Sequence, residues 1–399
     1  MKITDRIRYV GVNDHCKTLF EGLWPLPFGV SYNSYLVFGD RIALIDTVEE
    51  EFGEEYIGKI REETRDRPVD YLIVNHMEPD HSSSMDFIRK EYPGIRIVTN
   101  AKAVPMIAGY YGITDNIITV KDGDTLDLGN DTVLKFYMTP MVHWPETMMT
   151  WLIGENTLFA GDAFGTFGAV DGPVTDTGGA RLCGWLDAHA DTFSEFRSEM
   201  TRYYSNIVGK YGIPVQNALK KLSALPVSRI CSTHGPVWES RIAEVVSLYD
   251  RLSRYEGERG VCIVYASMYG NTAKAAKALE AELAARGVPY AIHDLARENV
   301  SYAYRDAFRF DTIAAGSPTY NNEIFPPVAA FMSGLRTRTL KNRRFLAFGS
   351  YTWAGGSVRL LNEKAQNLGF ELLSEGFAFA QGYSAGKCDM SSAADILAR

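Results

Sequence analysis

Residues 41–45, 71–74, 95–98, 133–137 and 157–160 are short, mainly apolar runs, each of a length and pattern that predicts a β-strand. Helical stretches separate them. A short, charged, glycine-containing break follows at Arg254-Tyr255-Glu256-Gly257-Glu258-Arg259-Gly260. Beyond it the pattern becomes a regular alternation. Strand 261–266 leads to a helix over 271–286, then to strand 290–293, a segment at 302–308, strand 312–315, a segment at 327–335, strand 345–348 and a helix over 357–368. The first of these helices carries Ala276, Leu279 and Leu283 on one face and stops before Gly287, a C-terminal cap. Repeated βα units of this size predict an open parallel sheet. The expected division is therefore a first domain over residues 1–254 and a second over 260–399.

The totals narrow the class. A length of 399 residues suits two domains, and 46% hydrophobic content describes a well-cored globular chain. The net charge is -8 and no basic patch stands out, which argues against nucleic acid as a partner. Cys16, Cys183, Cys231, Cys262 and Cys388 are scattered, odd in number and form no CxxC pair. That pattern argues against a disulfide framework, a zinc ribbon or a cysteine-held iron–sulfur cluster, and fits a reducing cytoplasm. No apolar leader is visible at Met1-Lys2-Ile3-Thr4-Asp5-Arg6, and no run reaches the ~20 apolar residues of a membrane span.

The densest chemistry lies one residue after the run at 71–74. His76-Met77-Glu78-Pro79-Asp80-His81 holds four ligand-type side chains within six positions, and Ser82-Ser83-Ser84-Met85 after it reads as a helix N-cap. His143, Asp162 and His234 each follow another apolar run and a short loop, at Met141-Val142-His143-Trp144-Pro145, Gly161-Asp162-Ala163-Phe164-Gly165 and Ser232-Thr233-His234-Gly235. Ligands gathered at strand C-termini are where α/β folds build sites. A single histidine there is most simply a hydrogen-bonded edge residue; seven ligand-type residues in the same context predict a two-metal centre. His15, His189 and His293 lack that context and receive no role. Asp46, after the 41–45 strand, is read as structural.

Three loops of the second half carry a different signature. Ser267-Met268-Tyr269-Gly270-Asn271-Thr272 joins a strand to a helix start, where backbone N–H groups and hydroxyls form a phosphate cradle. Pro318-Thr319-Tyr320-Asn321-Asn322 and Ser350-Tyr351-Thr352-Trp353-Ala354-Gly355-Gly356 each place an aromatic residue and backbone amides at a strand's C-terminal edge. Together they resemble flavodoxin, which implies FMN at the topological switch point. No G-x-G-x-x-G run accompanies them, which argues against a nicotinamide site.

The ligand set of the first half resembles the metallo-β-lactamase fold, supported by Asn33-Ser34-Tyr35-Leu36-Val37, Ala43-Leu44-Ile45-Asp46 and Gly123-Asp124-Thr125-Leu126-Asp127-Leu128-Gly129. Hydrolytic members carry H-x-H-x-D-H, whereas this chain has Glu78 at the second histidine. A carboxylate there makes the site harder and more anionic, suiting non-haem iron better than zinc. The fold class expected is thus α/β, a metallo-β-lactamase-like αββα sandwich followed by a flavodoxin-like doubly wound parallel sheet. That combination, in that order over nearly the whole chain, resembles the flavodiiron proteins.

The resemblance implies that His76, Glu78 and His143 bind one iron, that Asp80, His81 and His234 bind the other, and that Asp162 bridges. It implies an FMN-dependent oxidoreductase reducing O2 to water, NO to N2O, or both. Electrons would come from rubredoxin or a similar small carrier, an F420-type deazaflavin being the other donor the family admits. It also implies a head-to-tail homodimer or a dimer of dimers. Tyr203 or Tyr204 resembles a family tyrosine over the metal site. Phe28, in Leu26-Pro27-Phe28-Gly29, stands where the family often has a histidine. The competing readings are a metallo-β-lactamase-type hydrolase fused to a flavodoxin-like domain, and a metal-free electron-transfer partner.

Overall fold

The structure, a computed structural model, describes residues 1–184 and 191–399. His189 lies outside the described residues. The chain forms two compact units, one of residues 1–203 and 213–250, the other of residues 204–212 and 251–399.

The first unit is an αββα sandwich. One sheet has the strand order Ile7–Tyr9, Tyr35–Phe38, Ile42–Ile45, Tyr71–Ile73, Arg96–Asn100, Ile117–Val120, with the last four strands parallel. Ile42–Ile45 and Tyr71–Ile73 are buried along their whole length, which is why they read as unbroken apolar runs. The other sheet orders Thr125–Asp127, Val133–Met138, Met148–Ile153, Thr157–Gly161 and Arg229–Ser232, antiparallel except for the last pair. In Val133–Met138, Leu134 and Phe136 point inward while their neighbours are half-buried, the alternation of a one-sided strand. The inner faces meet in one core: Tyr35, Val37, Ala43, Ile45 and Ile73 with Leu134, Phe136, Leu152 and Phe159. Each such Leu, Ile or Phe contributes about 1.5–3 kcal/mol by leaving water. Tyr35 and Phe159 touch across the sheets with ring centroids 5.4 Å apart. On the outside, helix Gly53–Thr64 buries Tyr56, Ile57 and Ile60 and approaches helix Met85–Glu91 so closely that a Cβ at Gly53 would lie 2.7 Å from the Phe87 ring.

The second unit is a parallel sheet in the order Tyr290–Asp294, Glu258–Tyr265, Phe310–Gly316, Arg344–Tyr351, Glu371–Leu372, with Phe377–Ala380 also pairing Arg344–Tyr351. The first strand in sequence lies second in the sheet, so the order reverses beside it and opens a crevice at its C-terminal edge. The helix Asn271–Ala285 covers this sheet with Ala275, Ala276, Leu279 and Leu283, and Gly287 follows with φ +65°.

One detail differs from the expectations, the serine triplet, and two others sharpen them. The segments at 302–308 and 327–335 are helices, Val300–Arg309 and Pro326–Thr337, the first capped by the Asn299 side chain accepting from Ser301 N. The serine triplet is not a cap: Ser84 makes no capping bond, Ser82 Oγ donates to Met77 O at 3.1 Å, and Ser83 Oγ accepts from Glu50 N at 2.9 Å. Their hydroxyls tie the ligand loop to its neighbours instead. The stretch 254–260 is packed. Tyr255 is buried with its hydroxyl donating to Gly209 O at 3.0 Å, and strand Glu258–Tyr265 has already begun.

Candidate metal centre and flavin cradle

The turn after strand Tyr71–Ile73 is held by Asp46. Its carboxylate accepts from Asn75 N at 2.8 Å and from Asn75 Nδ2 at 3.0 Å, which fixes the residue before His76. A 3-10 turn at Pro79–His81 then aims Asp80 and His81 back toward the loops after the other sheet. All seven ligand-type residues expected from the sequence come together. His76, Glu78, His81 and Asp162 have one donor atom each within 4.8 Å of one another, as do Asp80, His81 and His234. His143 Nε2 lies 3.0 Å from Glu78 Oε2 and 3.0 Å from Asp162 Oδ2.

Asp162 stands between two sets of imidazoles. Its Oδ2 faces His143 Nε2 and, at 3.5 Å, His76 Nε2. Its Oδ1 faces His81 Nε2 at 3.1 Å and His234 Nε2 at 3.6 Å. Asp80 Oδ2 lies 3.2 Å from His234 Nε2.

Outer groups orient the rings. His76 Nδ1 bonds Glu146 Oε1 at 2.7 Å, and His234 Nδ1 donates to Ser31 O at 2.7 Å. Both rings therefore turn Nε2 inward. Thr233 Oγ1 donates to Asp162 Oδ1 at 2.5 Å. Those inward atoms, His76 Nε2 and His234 Nε2, are buried and, close as their neighbours stand, make no well-aligned hydrogen bond among the described residues; the same holds for both ring nitrogens of His81 and both carboxylate oxygens of Asp80. Unsatisfied donors and acceptors cost about 1–3 kcal/mol each when buried, so such a cluster is built for an occupant. Nitrogen and carboxylate donors without a thiol fit iron.

The electrostatics agree. Burial works against charging His81, but the Asp162 and Asp80 carboxylates outweigh it and hold the imidazole up to about 10. Burial likewise pushes Glu78 up, yet bonds from His143 and His76 hold it at about 2. Asp162 is buried too, and His81 and His143 keep it well below the carboxylate range. This anionic field is what a cation would meet in place of protons.

An apolar shell closes over His234. Phe20 meets its ring edge-on at 5.5 Å and Tyr203 lies 5.5 Å away, both buried. Phe20 is delivered by the hairpin of Leu19–Phe20 and Trp24–Pro25, whose turn residues Glu21 and Gly22 have φ +51° and +69°. Tyr203 is thus the tyrosine beside the ligands, whereas Tyr204 faces Phe308 at 6.2 Å. The half-buried Phe28 accepts from Ala169 N through its backbone carbonyl at 2.8 Å. Sequence reasoning missed Glu146, Thr233, Ser31 and Phe20; only Glu146, three residues after His143, had a visible signal as one more carboxylate beside a ligand.

In the second unit, Ser267, Met268, Tyr269, Asn271, Thr272, Pro318, Thr319, Ser350, Tyr351 and Thr352 line one recess at the switch point, joined by the unforeseen Gln381. Gly270 lies in the same loop with φ +85°, its N–H donating to Ser267 Oγ at 3.0 Å. Thr272 Oγ1 and Ser350 Oγ are 3.0 Å apart, so the first and third loops are hydroxyl-linked. Gly355 and Gly356 line a neighbouring recess with Thr319 and Tyr351. Tyr320, Asn321, Asn322, Trp353 and Ala354 lie outside the switch-point recess, and Trp353 is 89% exposed. Asn321 and Asn322 have φ +50° and +61° and form the turn between Thr319–Tyr320 and Glu323–Ile324.

Comparison with known proteins follows the same division. The family model described as ODP family beta lactamase matches residues 30–235, and the flavodoxin model matches residues 263–397. The chain is 32% identical over 376 residues to the anaerobic nitric oxide reductase flavorubredoxin of Escherichia coli O1:K1, covering 93% of this chain and 76% of that one. The rubredoxin oxygen:oxidoreductase of Desulfovibrio gigas superposes with a TM-score of 0.88 at 26% identity, over 100% of this chain and 96% of that one. For the flavodiiron protein of Giardia intestinalis the values are 0.89 and 26%, over 100% and 94%. With both domain matches, in this order, the chain belongs to the flavodiiron family of oxidoreductases.

Proposed function

We propose that this chain reduces O2 to water and NO to N2O, using FMN in the second domain and a diiron centre in the first. The observation that carries the reading is Asp162, whose two oxygens face two separate pairs of histidines. In this reading His76, Glu78 and His143 would hold one iron and Asp80, His81 and His234 the other, with Asp162 placed to serve both. When bound, the iron pair and FMN supply the electron storage and redox chemistry. The chain's own residues position them. Glu146 and the Ser31 carbonyl fix the tautomer and orientation of His76 and His234. Phe20 and Tyr203 keep water from the His234 side. The Ser267–Thr272 loop and the start of helix Asn271–Ala285 supply hydroxyls and N–H groups for the FMN phosphate.

We extend the reading to domains over residues 1–254 and 260–399, a rubredoxin-class donor, a head-to-tail homodimer and a cytoplasmic setting. The relatives' names support the donor and both substrates. Free cysteines support the compartment, and no helix among the described residues is long and apolar enough to cross a membrane.

The test is metal and flavin content of protein made with iron and purified without oxygen, followed by O2 and NO consumption with reduced rubredoxin. About two iron and about one FMN per chain, with consumption of both gases, is the expected result. Zinc without FMN, with ester turnover, would establish the hydrolase instead.

A further inference from the structure

A second group of ligand-type side chains lies in the first domain and shares no residue with the metal centre. His15, Asp171 and Cys183 offer donor atoms all within 4.8 Å of one another, and Cys183 Sγ is 3.4 Å from His15 Nδ1. His15 is distant in sequence from the other two, which belong to one local ribbon. Asp171 ends the first strand of a short antiparallel ribbon, Val170–Asp171 against Arg181–Leu182, and Cys183 directly follows the second. Asp171 opposes Arg181, and Cys183 N donates to Ala169 O at 3.0 Å. Residues 169 and 171 share one face of the ribbon with 181 and 183, so the carboxylate and the thiol are diagonal neighbours.

His15 reaches them because strand Val12–Asp14 is clamped to the same ribbon. The Asn13 amide donates to Val170 O and accepts from Val170 N, both at 2.9 Å. One residue later Asp14 Oδ1 accepts from Cys16 N at 2.8 Å and Lys17 N at 2.9 Å, a turn that fixes the backbone at His15. The convergence is thus built from both sides.

We propose that His15, Asp171 and Cys183 form a surface site for one divalent cation of the Zn2+ class. A thiolate, an imidazole and a carboxylate are a soft, a borderline and a hard donor, the mixture that tetrahedral zinc accepts, with a fourth position left to water. Two negative charges balance the cation. The alternative, a reactive thiol, is disfavoured. Burial and the Asp171 carboxylate hold the Cys183 thiol above its usual range, so it stays protonated until a cation replaces the proton. Binding releases that proton to solvent as the metal–sulfur bond forms. The cation would staple the loop after Val12–Asp14 to the ribbon.

The experiment adds Zn2+ to the iron- and FMN-loaded protein and records zinc-edge X-ray absorption, to which iron is silent. The buried centre has no thiol, so a sulfur scatterer at about 2.3 Å reports this site alone. We expect one sulfur per bound zinc, retained in Cys16→Ser and lost in Cys183→Ser. In a chelator competition, His15→Ala and Asp171→Ala each weaken Zn2+ by more than about a hundredfold, beyond the loss of an outer partner. Iron and FMN content report that the variants are folded. A purely nitrogen and oxygen shell identical in wild type and Cys183→Ser, or sulfur that disappears with Cys16→Ser instead, overturns the proposal.

Discussion

His76 turns its Nδ1 to the carboxylate of Glu146 at 2.7 Å, and the same Glu146 oxygen accepts from Met77 N at 3.0 Å. Burial pushes Glu146 up, but the bond to His76 keeps its pKa below the usual carboxylate value, so an anion stands behind a ring whose Nε2 faces Asp162. This is the arrangement that makes an imidazole a better and better-aimed ligand.

Glu146→Gln keeps the shape and removes the charge. Iron affinity should fall by about 10–100-fold, the cost of losing such an outer partner. Iron retained after dialysis against a chelator measures it. A variant that holds iron as tightly as wild type would show that Glu146 only packs.

Asp46 acts one step earlier, by pinning Asn75 through two hydrogen bonds. Asp46→Ala strips both and should cost about 2 kcal/mol, the range for bonds to a carboxylate. Asp46→Asn should cost less, because asparagine tolerates the φ of +54° found here. The midpoint of chemical denaturation, followed by near-ultraviolet circular dichroism, ranks the two.

The Tyr203 hydroxyl is buried and has no hydrogen-bond partner among the described residues, while its ring lies beside His234. Tyr203→Phe should leave stability and iron content unchanged. Turnover should fall by about 10²-fold, the low end for a donor placed at a reacting site. Unchanged turnover would make Tyr203 a packing residue.

In the second domain His293 is buried between two carboxylates, with Nε2 2.9 Å from Asp306 and Nδ1 3.1 Å from Glu298. Burial disfavours its charge, yet Asp306 and Glu298 raise its pKa above the usual 6.5. A raised folded value means the ion pairs stabilise fully below about 6.5 and the contribution is lost as pH rises through the folded pKa. Wild type should therefore lose more stability than His293→Gln between about pH 6 and about pH 9. Denaturation midpoints at the two pH values, read on FMN release, decide it.

Much of this architecture is legible before folding, and the reason is local. Whether a strand is buried on both faces shows in its own composition, as in Tyr71–Ile73, and whether on one face in its alternation, as in Val133–Met138. Ligand type is a property of a residue, so His76, Glu78, Asp80 and His81 declare themselves within six positions. The same holds for the Ser267–Thr272 loop, a strand end and a helix start in succession. Tertiary structure decided what depends on distant elements meeting. Glu146 orients His76 across 70 residues, and Ser31 holds His234 across 203. The choice between Tyr203 and Tyr204 is an instance of the same limit: adjacent residues of one type, separated only by which ring faces His234 and which faces Phe308. The serine triplet shows the converse, since a pattern that fits a helix cap serves other bonds instead, one within the loop to Met77 and one across to Glu50. His15, Asp171 and Cys183 carry no spacing to read, because the Asn13 amide clamp and the ribbon register, not proximity along the chain, bring them within reach.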